Sequence, residues 1–184
     1  MQPSEGGTDN PRMHTPAKVA ALLVASFVFV SSSARAQQVS GTLAVKGAST
    51  PITHVYAFWK DQAPFSTDLN LYVFLSDVAM ADPALPRNDD ANAKIAELVR
   101  NNRIHAFELH FADGGKTLSP GENGAIYHNG VAPARHGIVG FFTYEMVHLD
   151  GDTLQGRLRM DPDVAAQAPF KIDATFTVKI PAKR

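Results

Sequence analysis

The last strongly patterned segment of the chain alternates without a break. Ile172, Ala174, Phe176, Val178 and Ile180 fall on one side; Lys171, Asp173, Thr175, Thr177 and Lys179 fall on the other. Successive side chains of extended backbone point to opposite sides, so a period of two marks a strand with one buried and one wet face. No helix gathers such a pattern into a single apolar stripe. The alternation recurs where Val39, Gly41, Leu43 and Val45 oppose Ser40, Thr42, Ala44 and Lys46, and where Leu154, Gly156, Leu158 and Met160 oppose Thr153, Gln155, Arg157 and Arg159. Residues 52–59, 69–76, 104–111 and 138–149 are apolar on both faces and read as central strands covered from both sides. Asp113-Gly114-Gly115 and Asp150-Gly151-Asp152 lie between such runs and read as hairpin turns, because glycine accepts the positive φ these turns need.

One helix is expected. Asp89 or Asp90 caps it, Ile95, Leu98 and Val99 form its apolar stripe, and Asn101-Asn102 ends it. One short helix among about eight strands gives a mostly β fold, an antiparallel β-sandwich or a partly open barrel, with the helix over an edge or end. Two connections are longer than such a domain needs: residues 77–88, with two prolines, and residues 119–137, rich in glycine and proline. Long loops in compact domains carry function or move.

The N-terminus has a different pattern. Lys18 precedes an apolar run over residues 19–30, then three serines and Ala34-Arg35-Ala36. A basic flank, a short apolar core and small residues before a cleavage point are the parts of a secretory signal peptide. A membrane span needs about 20 apolar residues, which this run does not reach. The expected division is a signal peptide over residues 1–36, cleaved after Ala36, and one β-rich domain over residues 37–184, periplasmic or secreted. Met13 offers a more compact basic start than Met1, which Glu5 and Asp9 follow.

The chain has no cysteine, which excludes disulfides, thiolate metal sites, a thiol nucleophile and a lipid-modified cysteine. Its 17 basic and 18 acidic side chains give no surplus that would recommend a nucleic acid. No second apolar span follows residue 30, so the cleaved chain is expected to have none. Its partner is then an unidentified protein or small ligand of the cell envelope.

Histidine invites the chemical hypothesis, with His54, His105, His110, His128, His136 and His148 beyond the leader. Without cysteine, a metal such as zinc or copper would be held by imidazole and carboxylate. His128 and His136, with Arg135 between them, lie in the 119–137 loop, which could fold back over the strand holding Glu108 and His110. His128, His136, Glu108 and His110 are therefore the candidate metal ligands, although solvated loop histidines are the simpler reading. Alternation puts Glu108 and His110 on one face and leaves His105 with Phe107, Leu109 and Phe111 as a core histidine. Asp150 and Asp152, like Asp161 and Asp163, are explained by turn chemistry. No nucleophile elbow, zinc-protease helix, phosphate-binding glycine loop or dinucleotide fingerprint appears, so nothing in the sequence supports an enzyme.

Thr53-His54-Val55-Tyr56-Ala57-Phe58, Leu75-Ser76-Asp77 and the closing Gly156…Asp173-Ala174-Thr175-Phe176 together resemble uncharacterised exported bacterial β-domain proteins, which share an H-x-Y-A strand, an L-S-D strand end and a D-A-T-F closing strand. The resemblance implies a fold and an export route and brings no activity with it. His54 and Asp77 are its polar members and join His128, Arg135 and His136 as candidate ligand-binding residues. Three functions stay open: an exported binding or accessory module, a histidine-based metal protein (carrier or hydrolase), and an envelope domain without a ligand.

Overall fold

The computed structural model describes residues 37–62, 66–81, 89–131 and 133–183. The expected signal peptide and the alternative start at Met13 lie outside them, as does most of the 77–88 connection. Among the described residues the chain forms ten strands in two antiparallel sheets and two short helices, and the sheets are not closed into a barrel. This is the sandwich-like member of the expected pair.

The first sheet is built from β1 (Gln38–Val45), β2 (Ala48–Pro51), β8 (Thr143–Asp150), β9 (Thr153–Arg159) and β10 (Phe170–Lys179), in the order β2-β1-β10-β9-β8. The second follows the chain without a crossover: β3 (His54–Gln62), β4 (Ser66–Ser76), β5 (Ala106–Phe111), β6 (Gly124–Tyr127) and β7 (Arg135–Ile138). Alternation in β10 places Ile172, Ala174, Phe176 and Val178 in the core shared by the sheets, opposite Val73, Leu75, Phe107 and Leu109. Each large side chain so buried contributes about 1.5–3 kcal/mol.

The other face of the second sheet has its own cover. Helix α1 (Asp89–Arg100) lies over it, and Ile95 and Val99 share an apolar cluster with Phe58, Phe74, Ala106 and Tyr127. This second layer is why β4 and β5 are apolar on both faces.

Several expectations need correction. Residues 138–149 are not one central strand: Gly140, at φ 76°, separates β7 from β8, and β8 is an edge strand that is largely exposed. The 52–59 run belongs to β3, also an edge strand. Residues 119–137 are not one loop, since β6 and β7 pair within them. A second helix, α2 (Pro162–Gln167), follows β9; the Asp161 carboxylate accepts from the Asp163 N–H 2.9 Å away and caps it. That aspartate therefore begins a helix rather than making a simple turn.

Candidate functional site

Four residues at one end of the second sheet form a row that crosses it: Thr53 before β3, Asp77 after β4, His105 before β5 and His128 after β6. Backbone bonds hold the row, from Thr53 N to Ser76 O (2.9 Å), Asp77 N to His105 O (3.1 Å) and His128 N to Ala134 O (3.2 Å). Asp77 engages His105 twice: Oδ1 accepts from the backbone N–H at 2.8 Å, and Oδ2 lies 2.8 Å from ring Nδ1. The far ring nitrogen, Nε2, lies 2.9 Å from Asn102 Oδ1. His105 is thus held at both ring nitrogens, by Asp77 on one side and Asn102 on the other.

The end of α1 supplies Asn102. Arg103 N–H donates to Leu98 O (2.8 Å) and Asn102 N–H to Val99 O (2.9 Å), the paired bonds of a Schellman ending. Asn102 itself has φ 55°, a conformation that asparagine tolerates better than most side chains. This ending directs its amide toward the row, where Oδ1 also accepts from Asn129 Nδ2 at 2.7 Å.

His128 is buried and its ring faces that of His105, with centroids 4.4 Å apart. Its Nδ1 accepts from Gly130 N–H at 2.8 Å, which places the ring proton on Nε2. Burial, and secondly the charge of His105, lower the His128 pKa; Asp77 opposes them. Gly130 sits close to its neighbours: a Cβ there would stand 3.0 Å from both His128 Nδ1 and Val45 Cγ1, which would have to give by a few tenths of an ångström. At the Thr53 end of the row, a groove of about 570 Å³ is lined by Ser40, Gln155, Thr175 and Thr177 together with the apolar Val39, Val147 and Phe176; Asp77, His105 and His128 do not line it.

A second polar cluster occupies the outer face of β5–β7. Glu108 and His110 are buried, and His110 Nε2 lies 2.7 Å from Glu108 Oε1. His110 Nδ1 donates to the Glu122 carbonyl oxygen at 3.0 Å. Arg135 pairs with the Glu122 carboxylate, donates to Tyr127 Oη at 3.1 Å and lies 3.7 Å from Glu108 Oε1. Tyr127 Oη is 3.4 Å from both Glu108 oxygens. Burial, reinforced by Glu108, raises the Tyr127 pKa, so the phenol stays protonated. Burial works against the Arg135 charge, but Tyr127, Glu122 and Glu108 outweigh it and the guanidinium is held charged. Every polar group of this cluster is turned on another, as in a structural network.

The candidate residues thus divide. Asp77 and His128 meet at the row, with half-buried His54 one register position away, opposite Ser76. Arg135 joins Glu108 and His110 at the second cluster. His136 is exposed on the opposite face of β7 from Arg135, opposite Ile126, so the four candidate metal ligands do not converge. Among the described residues no three histidine, aspartate or glutamate side chains come together as a metal site. His105 is a correction: its ring pairs with Asp77 at the sheet end, and it is not a core histidine in line with Phe107, Leu109 and Phe111. Tyr127, Glu122 and Asn102 were not legible as partners, although alternation through β6 puts Tyr127 on the Glu108 face.

No family model, curated protein or solved structure matches the chain.

Proposed function

We propose that the chain is an exported binding module of the periplasm or the cell exterior that works by contact rather than catalysis, and that its contact surface is the strand-end row with the adjoining groove. One observation carries the reading: the His105–His128 ring pair, with Asp77 behind it and the α1 ending beside it. Fixed donors and acceptors of this kind hold a ligand without having to be ordered first, which is how rigid sites gain affinity. The groove sets hydroxyl and carboxamide groups beside the apolar Val39, Val147 and Phe176, and it meets the row at Thr53. A small, polar, hydroxyl-bearing ligand suits that chemistry. Arg135 and Glu108 are neutralised within their own cluster and take no part. The basic flank, short apolar run and Ala34-Arg35-Ala36 support export, and no helix among the described residues is long and apolar enough to cross a membrane.

The test is thermal unfolding of the purified protein against small-molecule fractions of the cell envelope, in parallel with His128→Phe, which keeps a ring against His105 and removes its nitrogens. A fraction that raises the midpoint of the parent and not of the variant supports the site. Equal shifts in both proteins, or none in either, would defeat it.

A further inference from the structure

The four sheet edges are not alike. β2 and β7 have four residues each, and β2 ends at Pro51; β3 carries Lys60. Short length, proline and charge are the ordinary means of keeping an edge from pairing with another chain. β8 has eight residues with neither lysine nor proline; it carries Glu145, Asp150 and a bulge at Met146–His148, and it ends the order β2-β1-β10-β9-β8 with its outer edge unpaired among the described residues. Exposed apolar side chains gather there as well. Among the described residues, the large hydrophobics left exposed are Val78 and the four side chains Val139, Phe141, Met146 and Val147, the last two on β8 at 41% and 58%.

We propose that β8 is a self-association edge: a second copy of this chain pairs with it antiparallel about a two-fold axis at Met146-Val147, joining two five-stranded sheets into one. The bulge makes this possible. Met146 pairs with Gly156 and His148 with Gln155, so Val147 is an inserted residue. Glu145 and His148, three apart, would face opposite sides of a regular strand. The insertion brings both to the outer face, opposite Arg157 and Gln155, while Tyr144 and Leu149 face the core opposite Leu158 and Leu154. A two-fold axis perpendicular to a sheet keeps each side chain on its own face. It therefore sets Glu145 against His148 of the second copy, Tyr144 against Leu149 and Thr143 against Asp150. Each pairing matches in face, and Glu145 and His148 can hydrogen-bond across the axis. Within its own chain Glu145 uses one oxygen, Oε2, on Arg159 at 3.0 Å, which leaves Oε1 for the neighbour. A symmetric pair needs a self-complementary patch, and this one is.

Sedimentation of the intact protein over a wide concentration range should show a monomer–dimer equilibrium, since two edge strands bury little surface. Two Glu145–His148 pairings form per dimer, so His148→Glu, which sets like charges opposite, should weaken association about tenfold or more. The exchanged double variant Glu145→His/His148→Glu should restore it. The cysteine-free background allows a register test that does not touch these charges. Under mild oxidation, a mixture of Thr143→Cys and Asp150→Cys chains should cross-link, and neither should do so alone. A chain that stays monomeric, a dimer indifferent to the exchange, or capture of a foreign extended peptide at β8 by a monomer would each overturn the proposal. None of these substitutions lies in the strand-end row, and His128→Phe tests the ligand reading separately from them, although Val147 at the proposed axis also lines the groove.

Discussion

His110 Nε2 and Glu108 Oε1 lie 2.7 Å apart on the buried face of β5, and the other nitrogen of the same ring lies 3.0 Å from the Glu122 carbonyl oxygen. A carbonyl only accepts, so Nδ1 carries a proton. The neutral ring would then turn a lone pair toward the carboxylate, and two acceptors do not approach so closely. A proton sits between Nε2 and Oε1, whichever atom holds it.

That proton makes Glu108 tolerant of one replacement and intolerant of another. Glu108→Gln supplies an N–H toward the ring and an oxygen toward Tyr127, and should cost under about 1 kcal/mol. Glu108→Leu leaves the Tyr127 hydroxyl and the His110 nitrogen without their shared acceptor, and should cost about 2–4 kcal/mol. Urea unfolding of the two variants measures the difference. Equal losses would mean that volume, and not the network, sets the cost.

Gly156 is tight for a different reason. A Cβ there would stand 2.5 Å from Phe176 Cζ and 2.7 Å from Tyr144 Cε2, two rings that stack across the β9 backbone with centroids 6.5 Å apart. Tyr144 is further pinned by its hydroxyl, which donates to Gly115 O at 2.7 Å. Gly156→Ala should destabilise by about 1–3 kcal/mol, the usual cost of overpacking. At Gly137 the obstacle is the Glu122 carboxylate, the far end of a flexible side chain that can shift together with its partner Arg135, so Gly137→Ala should cost less. Denaturant midpoints of the two alanine variants give the comparison; the reverse order would contradict it.

The parts of the fold that could be read in the sequence are those where one physical rule acts alone. β10 alternates because one face meets the core and the other meets water, and nothing else bears on it. Residues 138–149 carry as many apolar side chains as a central strand, yet Gly140 breaks the run and β8 leaves Met146 and Val147 exposed; composition cannot tell a covered strand from a sticky edge. β6 and β7 escaped notice because four residues between prolines and glycines are too few to show a period. His105 was misplaced by carrying the β5 alternation one residue past its start, where the α1 ending and Asp77 position the ring instead. At the candidate site, the resemblance offers Asp77 at an L-S-D strand end, and the sequence offers His128 only as a residue of the 119–137 loop. Their meeting depended on strand order, which no local pattern contains.

His128 should give the row a pH signature. Its folded pKa is depressed below the ordinary 6.5, chiefly by burial. The unfolded chain therefore binds the proton more readily than the folded one. Stability from the neutral ring is fully present above about 6.5 and is lost as pH falls from there through the folded pKa. Unfolding free energies measured from neutral pH down to about pH 5 should fall more steeply for the parent than for His128→Phe, whose ring cannot titrate. Parallel curves would remove His128 as the source.

Asn102 separates the helix ending from the site it serves. Its backbone, at φ 55°, suits glycine better than any residue with a Cβ, while its Oδ1 receives His105 Nε2 and Asn129 Nδ2. Asn102→Gly keeps the backbone conformation and deletes the acceptor. Asn102→Ala deletes the acceptor and adds left-handed strain of about 1–2 kcal/mol. The alanine variant should therefore be the less stable by about 1 kcal/mol, read from chemical denaturation. If the row is the contact surface, both variants should lose a ligand-induced midpoint shift to the same extent, because that loss follows the missing amide and not the strain. A glycine variant that keeps the full shift would show that the amide only ends the helix. If ligand response instead fell in step with stability, the His105–His128 pair would be a product of folding rather than a site that folding serves.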